Sequence, residues 1–340
     1  MSILAFLHRV ADRRSLSREE AFEAMQAILG GQVSPAQMAA FLTALRMKGE
    51  TVEELVGFAR AMRAMAAPVN AGVPGEVLLD TCGTGGDASG TFNISTVAAF
   101  VVAGAGVRVA KHGNRSLSSQ CGSADLLESM GIDLMQTPER SAQAIREIGI
   151  GFLFAPALHV AMKHAQPVRA ELKMRTVFNL LGPLTNPAGA TVQVVGAPSA
   201  HAAELMAGAL AALGLDRGFV VHGSDGLDEI TTAGPTLAFE VGQGKVERRI
   251  LHPADFGVRQ AVAEDLKGGD RARNHEIACR VLAGGAGPQR DIVLVNAAAA
   301  LVAAGKAGGF LPAMQLAAQS IDSGAARGKV EALARFTRPQ

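Results

Sequence analysis

Apolar positions in the first seventy residues recur at helical spacing, and polar start and stop signals divide them into successive helices. Ser17 followed by Glu20 has the form of a capping box, and Gly30-Gly31 ends that segment. Ser34 before Pro35 opens the next, in which Met38, Phe41, Leu42 and Leu45 share one face ahead of Gly49. Thr51 and Glu54 repeat the capping pattern before Leu55, Phe58 and Met62, and Pro68 stops the run. The pattern predicts an all-helical unit over residues 1–70.

From Val77 onward the period changes. Short apolar, β-branched runs at Val77-Leu78-Leu79 and Val107-Arg108-Val109-Ala110 alternate with small-residue helical stretches from Thr96 to Ala105 and from Ser123 to Met130. Such alternation predicts an α/β domain with at least partly parallel strands. Thr137-Pro138-Glu139 opens a further helix that closes at Gly149. Later strands are expected at Val192 to Val195 and Gly218 to Val221, with helices at about His201 to Leu213 and Ile292 to Ala304. Met162 to Leu181 reads as helical and charged, and it ends in the turn-rich Gly182-Pro183-Leu184-Thr185-Asn186-Pro187. Residues 162–184 are therefore expected to return to the helical unit, leaving 71–161 and 185–340 as the α/β domain. There is no internal repeat or long linker.

Composition narrows the function. With 340 residues, 49% of them hydrophobic, the chain can bury a sizeable core. A net charge of +1 argues against broad attraction to nucleic acid or membrane, and the lack of Trp and Tyr removes the usual base-stacking platforms. The opening apolar run is too short for a signal peptide, which points to a cytoplasmic protein. Apolar stretches such as Val97 to Val109 are interrupted by glycine and fall short of a membrane span. Cys82, Cys121 and Cys279 lack metal-ligand spacing and read as reduced thiols.

Two junctions concentrate the chemistry. Asp80-Thr81-Cys82-Gly83-Thr84-Gly85-Gly86-Asp87, followed by Thr91-Phe92-Asn93-Ile94-Ser95-Thr96, joins a strand pattern to a helix through a glycine-rich turn. Glycines let backbone N–H groups approach an anion, and the next helix N-terminus adds unpaired donors, so a phosphate cradle is expected. Neither the dinucleotide fingerprint nor the P-loop fits its spacing. Asp87 is acidic for an anion site, and suits sugar hydroxyls or a cation instead. The second junction, Lys111-His112-Gly113-Asn114-Arg115-Ser116-Leu117-Ser118-Ser119, follows the next strand. Strand ends in an open α/β sheet converge on one crevice, so the two loops could hold opposite sides of a polyanion. Lys111 would neutralise phosphate, Ser118 and Ser119 would donate hydrogen bonds, and Asn114 could reach a neutral polar group.

Asp225-Gly226-Leu227-Asp228-Glu229 follows the strand at Gly218 to Val221. Adjacent carboxylates Asp228 and Glu229, with Ser95, would suit Mg²⁺, a hard cation that keeps several waters and bridges to phosphates. Read alone, the cluster is more readily an exposed acidic turn; the phosphate loops elsewhere make the metal reading preferable. Arg169 is a natural fork for a carboxylate, while His159 and His164 nearby read as packed or surface histidines.

These motifs in order, GTGGD, TFNIST, KHGNRS, FAPA, FNLLGPLTNP from Phe178 to Pro187 and HGSDGLDEI from His222 to Ile230, together with the helical opening from Leu16 to Gly49, closely resemble the anthranilate phosphoribosyltransferases. The resemblance implies a small helical domain plus a larger α/β domain, in the fold shared with the pyrimidine (class II) nucleoside phosphorylases, and a homodimer through the helical domains. It implies Mg²⁺, with Ser95, Asp228 and Glu229 as contacts. It also implies a phosphoribosyl-pyrophosphate site at Gly83, Gly86, Asp87, Thr91, Asn93, Ser95, Thr96, Lys111, Asn114, Ser118, Ser119 and Ser123. Ile94, His112, Gly113, Arg115, Ser116 and Leu117 belong to the same substrate-binding motifs. Gly83, Asn114 and Arg169 would meet anthranilate, and Lys111, Asn114 and Arg169 would carry the catalytic roles. The chain departs from the family pattern at Ala88, Cys121, Val160 and Lys173, where glycine, serine, proline and glycine are common. The rival readings are a nucleoside phosphorylase of the same fold and a non-enzymatic relative that binds nucleic acid.

Overall fold

The computed structural model describes residues 2–73, 75–85, 90–115 and 120–338. It opens with four helices, Ile3–Ala11, Arg18–Leu29, Pro35–Lys48 and Val52–Met65. Reciprocal capping boxes start the last three, from Ser17 and Glu20, Ser34 and Gln37, and Thr51 and Glu54. Each satisfies backbone donors that a helix start leaves unpaired. Glu54 does more than cap. It is fully buried, with one carboxylate oxygen accepting the Leu16 N–H at 2.9 Å and the other accepting Lys48 Nζ at 2.9 Å. One side chain thereby ties three helix ends together.

The remainder is built on one seven-stranded sheet: β1 (Leu78–Gly83), β2 (Arg108–Gly113), β3 (Ile150–Phe154), β4 (Val192–Gly196), β5 (Arg217–Gly223), β6 (Thr236–Gly242) and β7 (Lys245–Leu251). Their spatial order is β3-β2-β1-β4-β5-β6-β7. The first five are parallel, while β6 and β7 run antiparallel as an edge hairpin. The chain winds outward from β1 to β3, then returns to the other side of β1 with β4. Ligand crevices form where the winding direction reverses, outside the carboxyl ends of the strands. Here that point lies between the ends of β1 and β4, where Gly83 pairs with Gly196.

Two large cores flank the sheet. One gathers the helix Ile94–Gly104, buried along almost its whole length, with Pro288–Ala303, Phe310–Asp322 and Ala325–Thr337. The other joins the N-terminal helices to Ala200–Ala212 and to Val168, Phe178, Leu181 and Leu184. The helical pattern read from Met162 to Leu181 is realised in pieces: a 3₁₀ turn Val160–His164, a helix Gln166–Leu172 and a short helix Phe178–Leu181. Pro167 starts the middle piece in its first turn, and Lys173 stops it by adopting the left-handed conformation, φ 47° and ψ 32°. This is the position at which the family pattern favours glycine.

Candidate active site at the β1–β4 switch point

The site is built around the carboxylates that follow β5. Asp228 Oδ2 accepts the Gly85 N–H at 2.9 Å, and Glu229 Oε1 accepts the Ser95 N–H at 3.0 Å. The acidic loop is therefore tied both to the glycine turn after β1 and to the first turn of the helix that follows it. Asp228 is 9% exposed, so a freely solvated acidic turn does not describe it. Its close fit depends on two glycines. A Cβ at Gly83 would lie 2.6 Å from Asp228 Oδ2, and one at Gly196 would lie 1.6 Å from the Asp228 carbonyl oxygen. Two bare backbones at paired strand ends make the space that this loop occupies.

Lys111 sits inside β2 and is only 3% exposed. Its ammonium donates to the Thr81 carbonyl and, at 3.4 Å, to Ser95 Oγ, beneath the acidic loop. Burial lowers its proton affinity, while the charges of Asp80 and Glu229 oppose that effect. Asp80 itself is fully buried. It accepts the His112 N–H at 3.1 Å and Asn186 Nδ2 at 2.8 Å, and Asn186 Nδ2 also donates to the Ala110 carbonyl at 2.8 Å. Burial raises the Asp80 carboxyl, with the Lys111 charge as the largest opposing influence. This buried polar lattice joins β1, β2 and the Gly182-to-Pro187 turn.

His112 and His159 form a neighbouring pair with ring centroids 5.1 Å apart. His112 Nδ1 faces the Gly182 carbonyl at 3.2 Å, whereas the Nε2 atoms of both rings are buried with no hydrogen-bond partner among the described residues. Desolvation pulls His112 down to about 3 and His159 down to about 4, with the proximity of His159 adding to the effect on His112. Both imidazoles are neutral at physiological pH. His164 lies apart and packs on Gly31.

The second junction is divided between structural and exposed roles. Asn114 Oδ1 accepts the Arg115 N–H at 2.7 Å, and its carbonyl accepts Ser123 Oγ at 3.1 Å. Arg115 turns to Asp125 and Glu128, which hold its guanidinium above the usual arginine range. Gly113 is tightly packed, since a Cβ there would meet Ser123 Oγ at 2.5 Å and Phe152 at 2.6 Å. Thr91 bridges to Lys267, and Asn93 donates to the Cys121 carbonyl at 3.1 Å while accepting Asn274 Nδ2 at 3.1 Å. The Ile94 and Thr96 side chains are buried at 1% exposure each. Gly86, Asp87, Ser116, Leu117, Ser118 and Ser119 lie outside the described residues. Arg169 projects from the helix Gln166–Leu172 with its guanidinium carbon 5.1 Å from the Phe178 ring centre. Cys82 and Cys121 are buried, in keeping with packing roles.

Sequence reasoning overlooked Asp80, Asn186, Gly196 and Arg175. A carboxylate inside the apolar run Leu78-Leu79-Asp80 was the available signal for the first, because a charge in a central strand needs a specific partner. Arg175 donates to the Gly85 carbonyl, a contact for which the sequence offers no cue.

Asp228, Glu229 and Ser95 present only oxygen donors. Two carboxylates near a hydroxyl suit Mg²⁺ in charge and hardness. Among the described residues no group of three or more His, Cys, Asp and Glu side chains is placed to hold a metal ion. No helix among the described residues is long and apolar enough to cross a membrane.

Comparison with known proteins identifies the family. Residues 4–66 match the helical bundle domain of a glycosyl transferase family, and residues 75–327 match its a/b domain. The anthranilate phosphoribosyltransferase of Solibacter usitatus is 73% identical over 336 residues, covering 99% of each chain. That of Geobacter sulfurreducens is 52% identical, with 97% of each covered. The crystal structure of the Thermus thermophilus enzyme superposes with a TM-score of 0.92 at 46% identity, covering 98% of this chain and 99% of that one. The Saccharomyces cerevisiae enzyme in complex with PRPP and Mg gives 0.88 at 28% identity, with 98% and 97% covered. With both of its domains matched and its acidic loop seated at the switch point, this chain belongs to the anthranilate phosphoribosyltransferase family.

Proposed function

We infer that this chain transfers the phosphoribosyl group of 5-phosphoribosyl 1-pyrophosphate to the amine of anthranilate. The reaction releases pyrophosphate and gives N-(5-phosphoribosyl)anthranilate, the second step of tryptophan biosynthesis from chorismate. The observation that carries the site assignment is the attachment of Asp228 and Glu229 to the Gly85 and Ser95 backbone at the β1–β4 switch point.

An aniline nitrogen is nucleophilic when neutral, so attack on the ribose C1 with inversion needs no strong base. The demanding step is loss of pyrophosphate through a cationic, oxocarbenium-like ribose. Mg²⁺, held by Asp228, Glu229 and Ser95, would supply positive charge to the pyrophosphate oxygens. The Lys111 ammonium adds a fixed positive potential from below, where low exposure limits screening. Gly83, Thr91, Asn93, Thr96, Asn114 and Ser123 would contact the donor. Arg169 forks the anthranilate carboxylate and, with Asn114 and Gly83, aligns the amine for attack. Buried and neutral, His112 and His159 add no competing positive charge.

The enzyme acts as a cytoplasmic homodimer and binds neither nucleic acid nor membrane. Exposed Leu4 and Met47 on the N-terminal helices, at 40% and 72% exposure, support a dimer face there. Sedimentation of the wild type against Met47→Glu tests it, and a monomeric wild type would overturn it. Residues 162–184 are assigned to the helical domain because Val168, Phe178, Leu181 and Leu184 share its core.

Depletion of anthranilate fluorescence is the direct test of activity. Signal loss should require both phosphoribosyl pyrophosphate and Mg²⁺, and no loss with both present refutes the reaction. Arg169→Ala should raise the anthranilate KM with little change in that of the donor; an unchanged anthranilate KM removes Arg169 from the carboxylate site.

A further inference from the structure

The Gly85 peptide is held from two sides. Its N–H donates to Asp228, and its carbonyl accepts from the Arg175 guanidinium. Gly85 sits at φ +67°, a conformation that side-chain-bearing residues rarely adopt, so its geometry is set by its own flexibility and by these two contacts. Arg175 is itself held from the N-terminal unit. Its carbonyl accepts Arg46 Nη1 at 2.8 Å, and Arg46 belongs to the helix Pro35–Lys48. A few residues on, the Leu184 carbonyl accepts Arg63 Nε at 2.7 Å from the helix Val52–Met65. The segment carrying Arg169 and Arg175 is thus fastened to the helical unit at two points and reaches the glycine turn at a third.

We propose that Arg175 is a positioning residue for the phosphoribosyl-pyrophosphate loop. Acting through the Gly85 carbonyl, it fixes the turn after β1 in the conformation that receives the donor, and Arg46 transmits the placement of the helical unit to that turn. The proposal rests on the donor assignment made above. A charged donor to a backbone carbonyl is stronger than a neutral one and, at a glycine, selects among several accessible backbone states. The acceptor fork Arg169 lies on the helix just before Arg175, so one segment carries both the acceptor contact and the restraint on the donor loop.

The test compares wild type, Arg175→Ala, Arg175→Lys and Arg46→Ala by calorimetric titration with phosphoribosyl pyrophosphate and Mg²⁺, and by steady-state kinetics. Arg175→Ala should weaken donor binding about tenfold or more with the anthranilate KM within about twofold, because the lost contact orders the donor loop alone. Arg175→Lys should recover most of the affinity, since an ammonium can still reach one carbonyl. Arg46→Ala leaves the Arg175 charge in place and should weaken donor binding in the same direction. Donor affinity within twofold of wild type in Arg175→Ala overturns the proposal. An unaffected Arg46→Ala beside a weakened Arg175→Ala overturns the transmission from the helical unit. The titration reads donor binding without turnover, so an inactive wild type would count against the reaction while leaving Arg175 still measurable.

Discussion

Gly196 offers the sharpest quantitative check on the site. It ends β4 opposite Gly83, and a methyl group there would lie 1.6 Å from the Asp228 carbonyl oxygen and 2.5 Å from its carbonyl carbon. Real side chains do not approach closer than 3.0 Å, and the obstruction is backbone, which cannot rotate away. The acidic loop must retreat by roughly 1.4 Å, and misplacing a catalytic group by about 1 Å costs on the order of 100-fold in rate. That corresponds to about 2.7 kcal/mol of lost transition-state stabilisation. The displacement would also pull on the Gly85 and Ser95 N–H groups that the two carboxylates hold. Gly196→Ala should therefore lower kcat/KM for phosphoribosyl pyrophosphate about 100-fold and raise the Mg²⁺ concentration needed for half-maximal rate. Gly83→Ala would crowd the Asp228 carboxylate itself, at 2.6 Å from Oδ2 and 3.1 Å from Cγ, and should likewise lower Mg²⁺-dependent turnover. Steady-state anthranilate fluorescence at varied donor and Mg²⁺ supplies the rates, with thermal unfolding as the folding control. A folded Gly196→Ala enzyme within threefold of wild type, with unchanged Mg²⁺ dependence, would refute placement of the acidic loop at the chemistry.

The other expectations use separate observables. Asp228→Asn combined with Glu229→Gln should sharply reduce Mg²⁺-dependent turnover, and an unaltered Mg²⁺ profile would remove both residues from the metal site. His112 and His159 are depressed to about 3 and about 4, so between those values and the unfolded value near 6.5 the unfolded chain binds more protons than the folded one. Stability is then fully present above pH 6.5 and is lost as pH falls, by at most about 1.4 kcal/mol per pH unit for each ring. Thermal unfolding from pH 7.5 to 5 should show this loss, and His112→Asn with His159→Gln should flatten it; an identical slope in the double variant contradicts the burial argument. Lys173 sits in the left-handed region, where a side chain costs about 1–2 kcal/mol, against roughly 0.4–1 kcal/mol of extra unfolded-chain entropy for glycine. Lys173→Gly should leave stability unchanged or raise it by about 1 kcal/mol, and a clear loss in urea unfolding would point to an unrecognised role for the lysine.

The legible parts of the fold follow from local chemistry. The capping pairs at Ser17, Ser34 and Thr51 start helices where the pattern places them, and Thr137 and Gly149 bound the helix Pro138–Ile148. The edge hairpin β6–β7 was not anticipated. Glu240, Glu247, Arg248 and Arg249 interrupt its apolar pattern, and much of β7 is exposed. The broken Met162-to-Leu181 stretch depends on Lys173 adopting a conformation that its residue type does not announce.

By itself the sequence determined the helical opening, the strand-to-helix alternation and the adjacency of Asp228 and Glu229, because caps, glycines and hydrophobic period act over a few residues. Only the tertiary structure decided that Lys111 lies beneath the acidic loop, that Asp80 is held by Asn186, and that Arg115 turns away to Asp125 and Glu128. It also brought Gly196 against Asp228 and Arg175 to Gly85. These contacts join residues far apart in the chain, and their formation depends on sheet order and on the packing of the helical unit. Residue type supplies the donors, acceptors and small side chains, but strand winding determines which of them meet.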